Sequence, residues 1–263
     1  MKKIALVLGG GAAKGYAHIG VLKVLEKNGI VPDLIVGTSM GALVGGMYAA
    51  GKTVQELESL AAGFSSLGSF SLISTFFKDN LLNINKVKNL LNRELKNTTH
   101  QDCRIKFVSV ATEIEKGEEY HFDSGFVKDS ILASISIPSV FPKVKINGGV
   151  YCDGGLMNNL PEDVARKLMP DAVIISVDVI GEYSKQVERC KLKVLETILN
   201  ATTLMTSNVV KNKPQYSDIR LIMTMPNVSQ LDFSSETAIK TIKKGELFTK
   251  KHINEINALL EDK

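Results

Sequence analysis

The segment Gly-Thr-Ser-Met-Gly at positions 37–41 has the residue types and spacing that point most directly to chemistry. A short apolar run at 34–36 precedes it and a helix of small residues is predicted after it, as a nucleophile elbow requires. Such a turn is too sharp for side chains two positions before or after the serine, which accounts for the glycines. The sequence therefore predicts Ser39 as a nucleophile at a helix N-terminus, where the dipole favours developing negative charge. The alternative is a tight turn that Ser39 merely caps.

A glycine-rich loop, Gly-Gly-Gly-Ala-Ala-Lys-Gly at positions 9–15, also lies between a predicted strand and a predicted helix. Such a loop presents free backbone N–H groups to an anion. A nucleotide triphosphate would require Gly-Lys-Ser/Thr at its end, but Tyr16 follows the loop. The dinucleotide pattern G-x-G-x-x-G fits from neither Gly9 nor Gly10, and no acidic residue closes the second strand. The anion that remains is the oxyanion of an acyl-transfer intermediate.

A third segment, at 150–161, contains Asp153 followed by two glycines, an Asn pair and a proline. This is the composition of a compact turn, and the residues alone favour a turn-building role for Asp153. The chain has only four histidines, none of them in a motif that would indicate a Ser–His–Asp triad. We expect His18, in the first predicted helix, to brace the glycine loop or to pack locally.

The elements that must position these segments alternate between strand and helix. Strands are predicted at 3–8, 34–36, 105–111 and 172–179, with shorter ones at 118–122 and 144–152. Helices are predicted at 15–28, 40–50, 84–95, 187–211 and 235–260, and Thr-Val-Gln-Glu at 53–56 has the capping-box form that opens another. Short turns between such elements imply parallel strands with crossover helices, whose loops meet at one edge of the sheet. We therefore expect one three-layer α/β/α domain over 1–263, with a mainly parallel central sheet.

Four segments (9–22, 37–41, 133–142 and 153–161) resemble the patatin-like phospholipases in order and spacing. The resemblance covers about 4–180, whereas the remainder, about 185–263, carries little of it and is expected to be helical. It implies a three-layer α/β/α fold and a Ser–Asp dyad, without His, that cleaves acyl esters of lipids. By this resemblance Ser39 is the nucleophile and Asp153 the base, and the loop at Gly10, Gly11 and Ala12 supplies the oxyanion amides.

Two positions depart from the family pattern. The family usually has a further Gly where this chain has Ala12, which can offer its N–H provided that its φ stays negative. It usually has an Arg where this chain has Lys14. We predict Lys14 as a substrate-binding residue. It keeps the positive charge, but its ammonium group lacks the bidentate geometry of a guanidinium.

Composition limits the other functions. A net charge of +4 is too small to predict nucleic-acid binding, and three widely spaced cysteines indicate a reducing, cytoplasmic location. No apolar run is long enough for a membrane span, so any membrane contact is expected to be peripheral. We expect an acyl-lipid or acyl-ester substrate, no cofactor and no metal. The sequence contains no pattern that indicates an oligomeric state. An acyltransferase or thioesterase using the same acyl-serine, and a non-catalytic lipid-binding module, stay as alternatives.

Two further stretches carry open alternatives. The Phe- and Leu-rich stretch at 64–82 predicts either a helix and loop packed on the core, or a mobile cap or lipid-facing surface over a site. Lysines recur in the last third of the chain, where a solvated helix face and a membrane-surface footprint are both consistent with them.

Overall fold

The computed structural model describes residues 2–64, 84–138, 140–181 and 193–261. Its strands are β1 (Ile4–Leu8), β2 (Leu34–Thr38), β3 (Lys106–Glu113), β4 (Glu118–Phe122), β5 (Val144–Ile146), β6 (Gly149–Asp153), β7 (Val173–Asp178) and β8 (Ile219–Ile222). They form one sheet in the order β5-β6-β3-β2-β1-β7-β8, with β4 also paired to β3. From β3 to β8 along this order all neighbours are parallel, whereas β4, β5 and β6 join by antiparallel pairing. The mainly parallel central sheet that the sequence predicts is confirmed.

Helices cover both faces of this sheet. They are α1 (Ala17–Lys27), α2 (Met40–Ala49), α3 (Val54–Phe64), α4 (Ile84–Leu95), α5 (Val127–Ser134), α6 (Glu162–Leu168), α7 (Lys193–Asn212) and α8 (Ser235–Glu261). Successive side chains of a strand point to opposite faces, so a strand covered on both sides is apolar throughout. In β1, Leu6 and Leu8 pack into the core under α1, α2 and α8, while Ala5 and Val7 pack into the core under α6.

Several boundaries differ from the sequence-based expectation. The segment 144–152 is a hairpin rather than one strand, because Asn147 and Gly148 both take positive φ and turn the chain between β5 and β6. The first helix is preceded by a 3-10 turn, Ala12–Tyr16, so the α-helix itself begins at Ala17. The capping box is confirmed: the Thr53 amide donates to the Glu56 carboxylate at 2.8 Å, and the Glu56 amide to Thr53 Oγ1 at 3.2 Å.

Three elements lie where none is predicted, namely α5, α6 and β8. The expectation that the chain beyond about 185 is helical is therefore incomplete, because β8 pairs in parallel with β7 at the sheet's edge. Residues 65–82 of the apolar stretch, and the first six residues of the helix predicted at 187–211, lie outside the described residues. Within the described ranges, no helix combines the length and apolarity that crossing a membrane would take.

The helices α1 and α8 cross at two glycines. A Cβ placed on Gly20 would lie 2.1 Å from the carbonyl oxygen of Ile242, and one on Gly245 would lie 2.2 Å from that of Ala17. The two helix backbones thus touch directly. This contact fixes α1, and with it the glycine loop that leads into α1.

Candidate active site

Ser39 sits on the turn between β2 and α2 in a strained conformation, with φ 53° and ψ −121°. A non-glycine residue at positive φ is uncommon and is held there only by its surroundings. A Cβ on Gly41 would lie 2.0 Å from the carbonyl oxygen of Leu8, and one on Gly37 would lie 2.7 Å from Cα of Ala42. The turn therefore has the tightness that makes both glycines necessary.

The Ser39 hydroxyl donates a hydrogen bond to Oδ2 of Asp153 at 2.6 Å, although 114 residues separate them in the sequence. Asp153 ends β6, and its other oxygen accepts the amide of Gly155 at 2.8 Å, which caps the turn that follows. One oxygen therefore builds the turn expected from the residues alone, while the second contacts Ser39. Both side chains are buried, each residue being 6% exposed.

The charge on Asp153 is poorly solvated. Burial raises the pKa of Asp153 to about 6, against the opposing effect of the hydrogen bonds from Ser39 and Gly155. A carboxyl group with this pKa is a stronger base than an exposed one, and it is still about nine-tenths ionised at pH 7.

A second serine, Ser134, holds the turn that carries Ser39. It lies in the segment 133–142, but no pattern in the sequence marks it. The amide of Ser39 donates to Oγ of Ser134 at 2.8 Å, and that hydroxyl donates to the carbonyl of Val110 at 2.6 Å. Thr38, beside the candidate nucleophile, donates its hydroxyl to the carbonyl of Asn158 at 2.8 Å. Ser39 is thus held on both sides, and its own N–H is already bonded.

Most amides of the glycine loop are bonded within the protein. The amide of Gly9 donates to Val177 at 3.0 Å, that of Gly10 to Asn159 at 3.0 Å, that of Ala13 to Gln230 at 3.1 Å and that of Lys14 to Gly11 at 3.0 Å, each to a backbone carbonyl. Within the described residues, the N–H groups of Gly11 and Ala12 make no such bond. Both residues line the cleft beside Ser39. The sequence suggests the amides of Gly10, Gly11 and Ala12 for an anion. Among the described residues, those of Gly11 and Ala12 have no hydrogen-bond partner.

The two departures from the family pattern have different outcomes. Ala12 takes φ 47°, so the condition of a negative φ is not met, although its N–H still makes no backbone hydrogen bond within the described residues. The position is one where a glycine would relax the backbone, which fits the family's preference for Gly there. Lys14 is buried, at 2% exposure, and it is not among the described residues that line the cleft.

Besides Ser39, Asp153, Ala12 and the loop glycines, the cleft is lined by apolar and by uncharged polar side chains. The apolar lining residues are Ile137, Pro138, Leu156 and Ile180. The uncharged polar lining residues are Asn159, Gln230 and three threonines of α7, which are Thr202, Thr203 and Thr206. The α7 threonines and Gln230 were not predicted from the sequence, because no local pattern marks residues that lie about 40 or more positions beyond the last motif.

None of the four histidines hydrogen-bonds to Ser39 or Asp153. His18 is fully buried, and its Nε2 lies 2.8 Å from the carbonyl oxygen of Gly9, to which it donates. Burial lowers the pKa of His18 to about 4, so the ring is neutral at pH 7. This contact places His18 as a brace of the glycine loop, as expected.

Known proteins are similar to this chain over most of its length. A family model described as patatin-like phospholipase matches residues 6–166. Lysophospholipase nte1 of Aspergillus fumigatus is 31% identical over 225 residues, covering 83% of this chain. Human patatin-like phospholipase domain-containing protein 6 is 32% identical over 182 residues, covering 67% of it. The chain spans only about 15% and 13% of the length of these two relatives.

Among solved structures, VipD from Legionella pneumophila superposes with a TM-score of 0.54 at 14% identity, covering 97% of this chain and 67% of that one. At this identity the likeness concerns the fold alone, a three-layer α/β arrangement. The match of the family model over most of the chain is more specific. The chain belongs to the patatin-like phospholipase family.

Proposed function

We propose that this protein is a serine lipid acyl hydrolase, which cleaves carboxyl esters of phospholipids, lysophospholipids or related acyl lipids. The observation that carries the proposal is the 2.6 Å hydrogen bond from Ser39 to a buried carboxylate, at the strained turn between β2 and α2. Family membership and relatives named as lysophospholipases support a lipid ester as the substrate.

In the proposed acylation, ionised Asp153 takes the proton of Ser39 as Oγ attacks the ester carbonyl. The amides of Gly11 and Ala12 stabilise the oxyanion, while the amide of Gly10 holds the loop through Asn159. Protonated Asp153 then returns its proton to the departing alcohol. Acyl-Ser39 remains.

Deacylation reverses these roles. Asp153, ionised again, takes a proton from a water molecule that attacks the acyl carbonyl, and the same two amides hold the second oxyanion. The fatty acid leaves and Ser39 regains its proton from Asp153. The raised pKa of Asp153 suits both steps, because the group gains and loses a proton near neutral pH.

The test is a panel of acyl lipids that varies chain length against head group, with Ser39→Ala and Asp153→Asn as variants and a fluorophosphonate as an active-site label. We expect both variants to lose hydrolysis and Ser39→Ala to lose the label. Hydrolysis at the wild-type level in either variant would refute the assignment. Transfer of the acyl group to an added alcohol or thiol in preference to water would indicate an acyltransferase. Absence of labelling at Ser39 would favour a lipid-binding module.

A lipid substrate also implies a peripheral contact with its surface, and helix α7 is the proposed place. The helix contributes threonines to the cleft and also exposes Leu204, Met205 and Val209, the second at 68%. The lysines of α8 are weaker candidates, because three of the five (Lys240, Lys243 and Lys250) pair with glutamates of their own helix. A cytoplasmic location stays a prediction from the cysteine pattern.

A further inference from the structure

The residue pair Asn158 and Asn159 joins the three segments of the candidate site. The carbonyl of Asn158 accepts the hydroxyl of Thr38, on the elbow, and the carbonyl of Asn159 accepts the amide of Gly10, on the glycine loop. The two asparagines lie five and six positions after Asp153, beyond the short turn that the Asp153 side chain caps. The elbow and the glycine loop are therefore both bonded to the segment that carries Asp153.

The side chain of Asn159 makes the second link to the glycine loop. Its Nδ2 donates to the carbonyl of Gly10 at 3.3 Å, so that Gly10 is bonded at both its N–H and its C=O. A Cβ on Gly10 would lie 2.4 Å from Oδ1 of Asn159, and one on Gly155 would lie 2.9 Å from the same atom. The amide group thus fills the space between the glycine loop and the loop of Asp153, and it is only 5% exposed.

Gly11 and Ala12, whose N–H groups have no hydrogen-bond partner in the described part of the chain, come immediately after Gly10. Any rotation of the peptide group between Gly10 and Gly11 would change the direction of the Gly11 N–H, because the carbonyl of Gly10 and the N–H of Gly11 belong to one planar group. A hydrogen bond on that carbonyl therefore fixes the direction of the adjacent N–H.

We infer that Asn159 is a positioning residue, which aims the oxyanion-binding amide of Gly11 by holding the carbonyl of Gly10. This inference rests on the proposed acyl hydrolase function. Asn159 touches no reacting atom in this role. It acts through the Gly10–Gly11 peptide, and its effect is expected where negative charge develops on the substrate oxygen rather than where substrate first binds.

The test compares Asn159→Ala and the near-isosteric Asn159→Asp with wild type on a short-chain ester. It also measures inhibition by an acyl trifluoromethyl ketone, which forms a tetrahedral adduct with the serine and places its oxyanion on the loop amides. We expect kcat/KM to fall roughly 10–100-fold in Asn159→Ala, as for a misaimed catalytic group, with KM within about threefold of wild type. The inhibition constant of the ketone should rise by the same factor as kcat/KM falls.

In Asn159→Asp the donor to Gly10 becomes an acceptor and a negative charge lies near Asp153. We expect a larger loss than in the alanine variant, and an acidic limb of the pH–rate profile that moves to higher pH. Thr249→Ala is the matched control, because Thr249 is also a buried side chain that donates one bond to a backbone carbonyl, at 2.9 Å, but on α8. It should lose stability and keep kcat/KM and ketone affinity.

Three results would overturn the inference. They are kcat/KM of Asn159→Ala within twofold of wild type, a fall in kcat/KM with unchanged ketone affinity, and failure of both Asn159 variants to fold, which would make the bond structural. Ser39→Ala separates this inference from the function on which it rests. If Ser39→Ala stays active, the proposed function fails; if it is inactive while Asn159→Ala matches wild type, only the role of Asn159 fails.

Discussion

The carboxylate of Asp153 gains basicity from the same burial that makes its charge costly. In the unfolded chain it would ionise near pH 3.8, whereas burial moves its pKa to about 6 in the folded protein. Between these values the folded state binds more protons than the unfolded state. The free energy of unfolding therefore falls as the pH rises through this window and is constant above it.

The first prediction concerns this loss of stability. In Asp153→Asn this carboxyl group no longer titrates. Between pH 3 and pH 7 the free energy of unfolding of wild type should therefore fall by about 3 kcal/mol relative to that of the variant. Urea unfolding at a series of pH values measures it. Asp102→Asn is the control with opposite sign, because hydrogen bonds from Thr99 lower the pKa of that capping carboxylate. A difference that does not change with pH would mean that Asp153 titrates normally.

The same pKa predicts the pH dependence of catalysis. The base must be ionised in the free enzyme, so kcat/KM on a short-chain ester should fall about tenfold for each pH unit below about 6 and level off above it. His18, with a pKa near 4, adds no limb in that range. A profile that stays flat down to pH 4.5 would contradict the assignment of Asp153 as base.

Ala12 gives a prediction about backbone strain. Left-handed φ costs an alanine about 1–2 kcal/mol, while glycine loses more entropy on folding, so Ala12→Gly should stabilise the protein by up to about 1 kcal/mol. This corresponds to a rise in Tm of about 2–4 °C at this chain length. Thermal unfolding measures it. A lower Tm would show that the loop does not strain Ala12.

At the scale of elements, the crossing of α1 and α8 depends on the absence of a side chain at Gly245. In Gly245→Ala the new Cβ meets the backbone of α1, which cannot rotate away, so we expect destabilisation by about 2–3 kcal/mol. Gly63→Ala is the matched control: Gly63 is a helical glycine at which an added Cβ would meet no atom of the described residues within 4 Å, and the variant should gain about 0.5–1 kcal/mol. Chemical unfolding distinguishes the two. Equal effects would contradict the close backbone contact.

The sequence predicts those elements whose pattern is local. The buried strands 34–36 and 172–179, the capping box at 53–56 and the glycine-flanked serine are all visible within a few residues. β8 has only four residues, and α6 seven, so neither shows a period long enough to recognise. The bond between Ser39 and Asp153 is not local at all. This bond could be expected only through the family resemblance. Nothing in the sequence predicts that the threonines of α7 and Gln230 line the cleft.

At the scale of the whole molecule, the exposed apolar side chains of α7 (Leu204, Met205 and Val209) are the proposed contact with a lipid surface. Met205→Glu should lower hydrolysis of lipid in vesicles several-fold, because it puts a charge on the proposed contact surface, and leave hydrolysis of a short-chain ester in solution unchanged. Leu247→Glu is the control, since Leu247 is 49% exposed on α8, which does not line the cleft. Equal loss on both substrates, or no loss on vesicles, would contradict a contact through α7.

The bond between Ser39 and Asp153 also has a consequence for how the chain acquires activity. Its partners are 114 residues apart, and they meet only after β2, β3 and β6 have paired side by side. Contacts of such long sequence separation form late, after local helices, because closing the intervening loops is entropically costly. Helix content can therefore be restored during refolding while the protein is still inert, so that the appearance of catalysis marks the completion of the native topology.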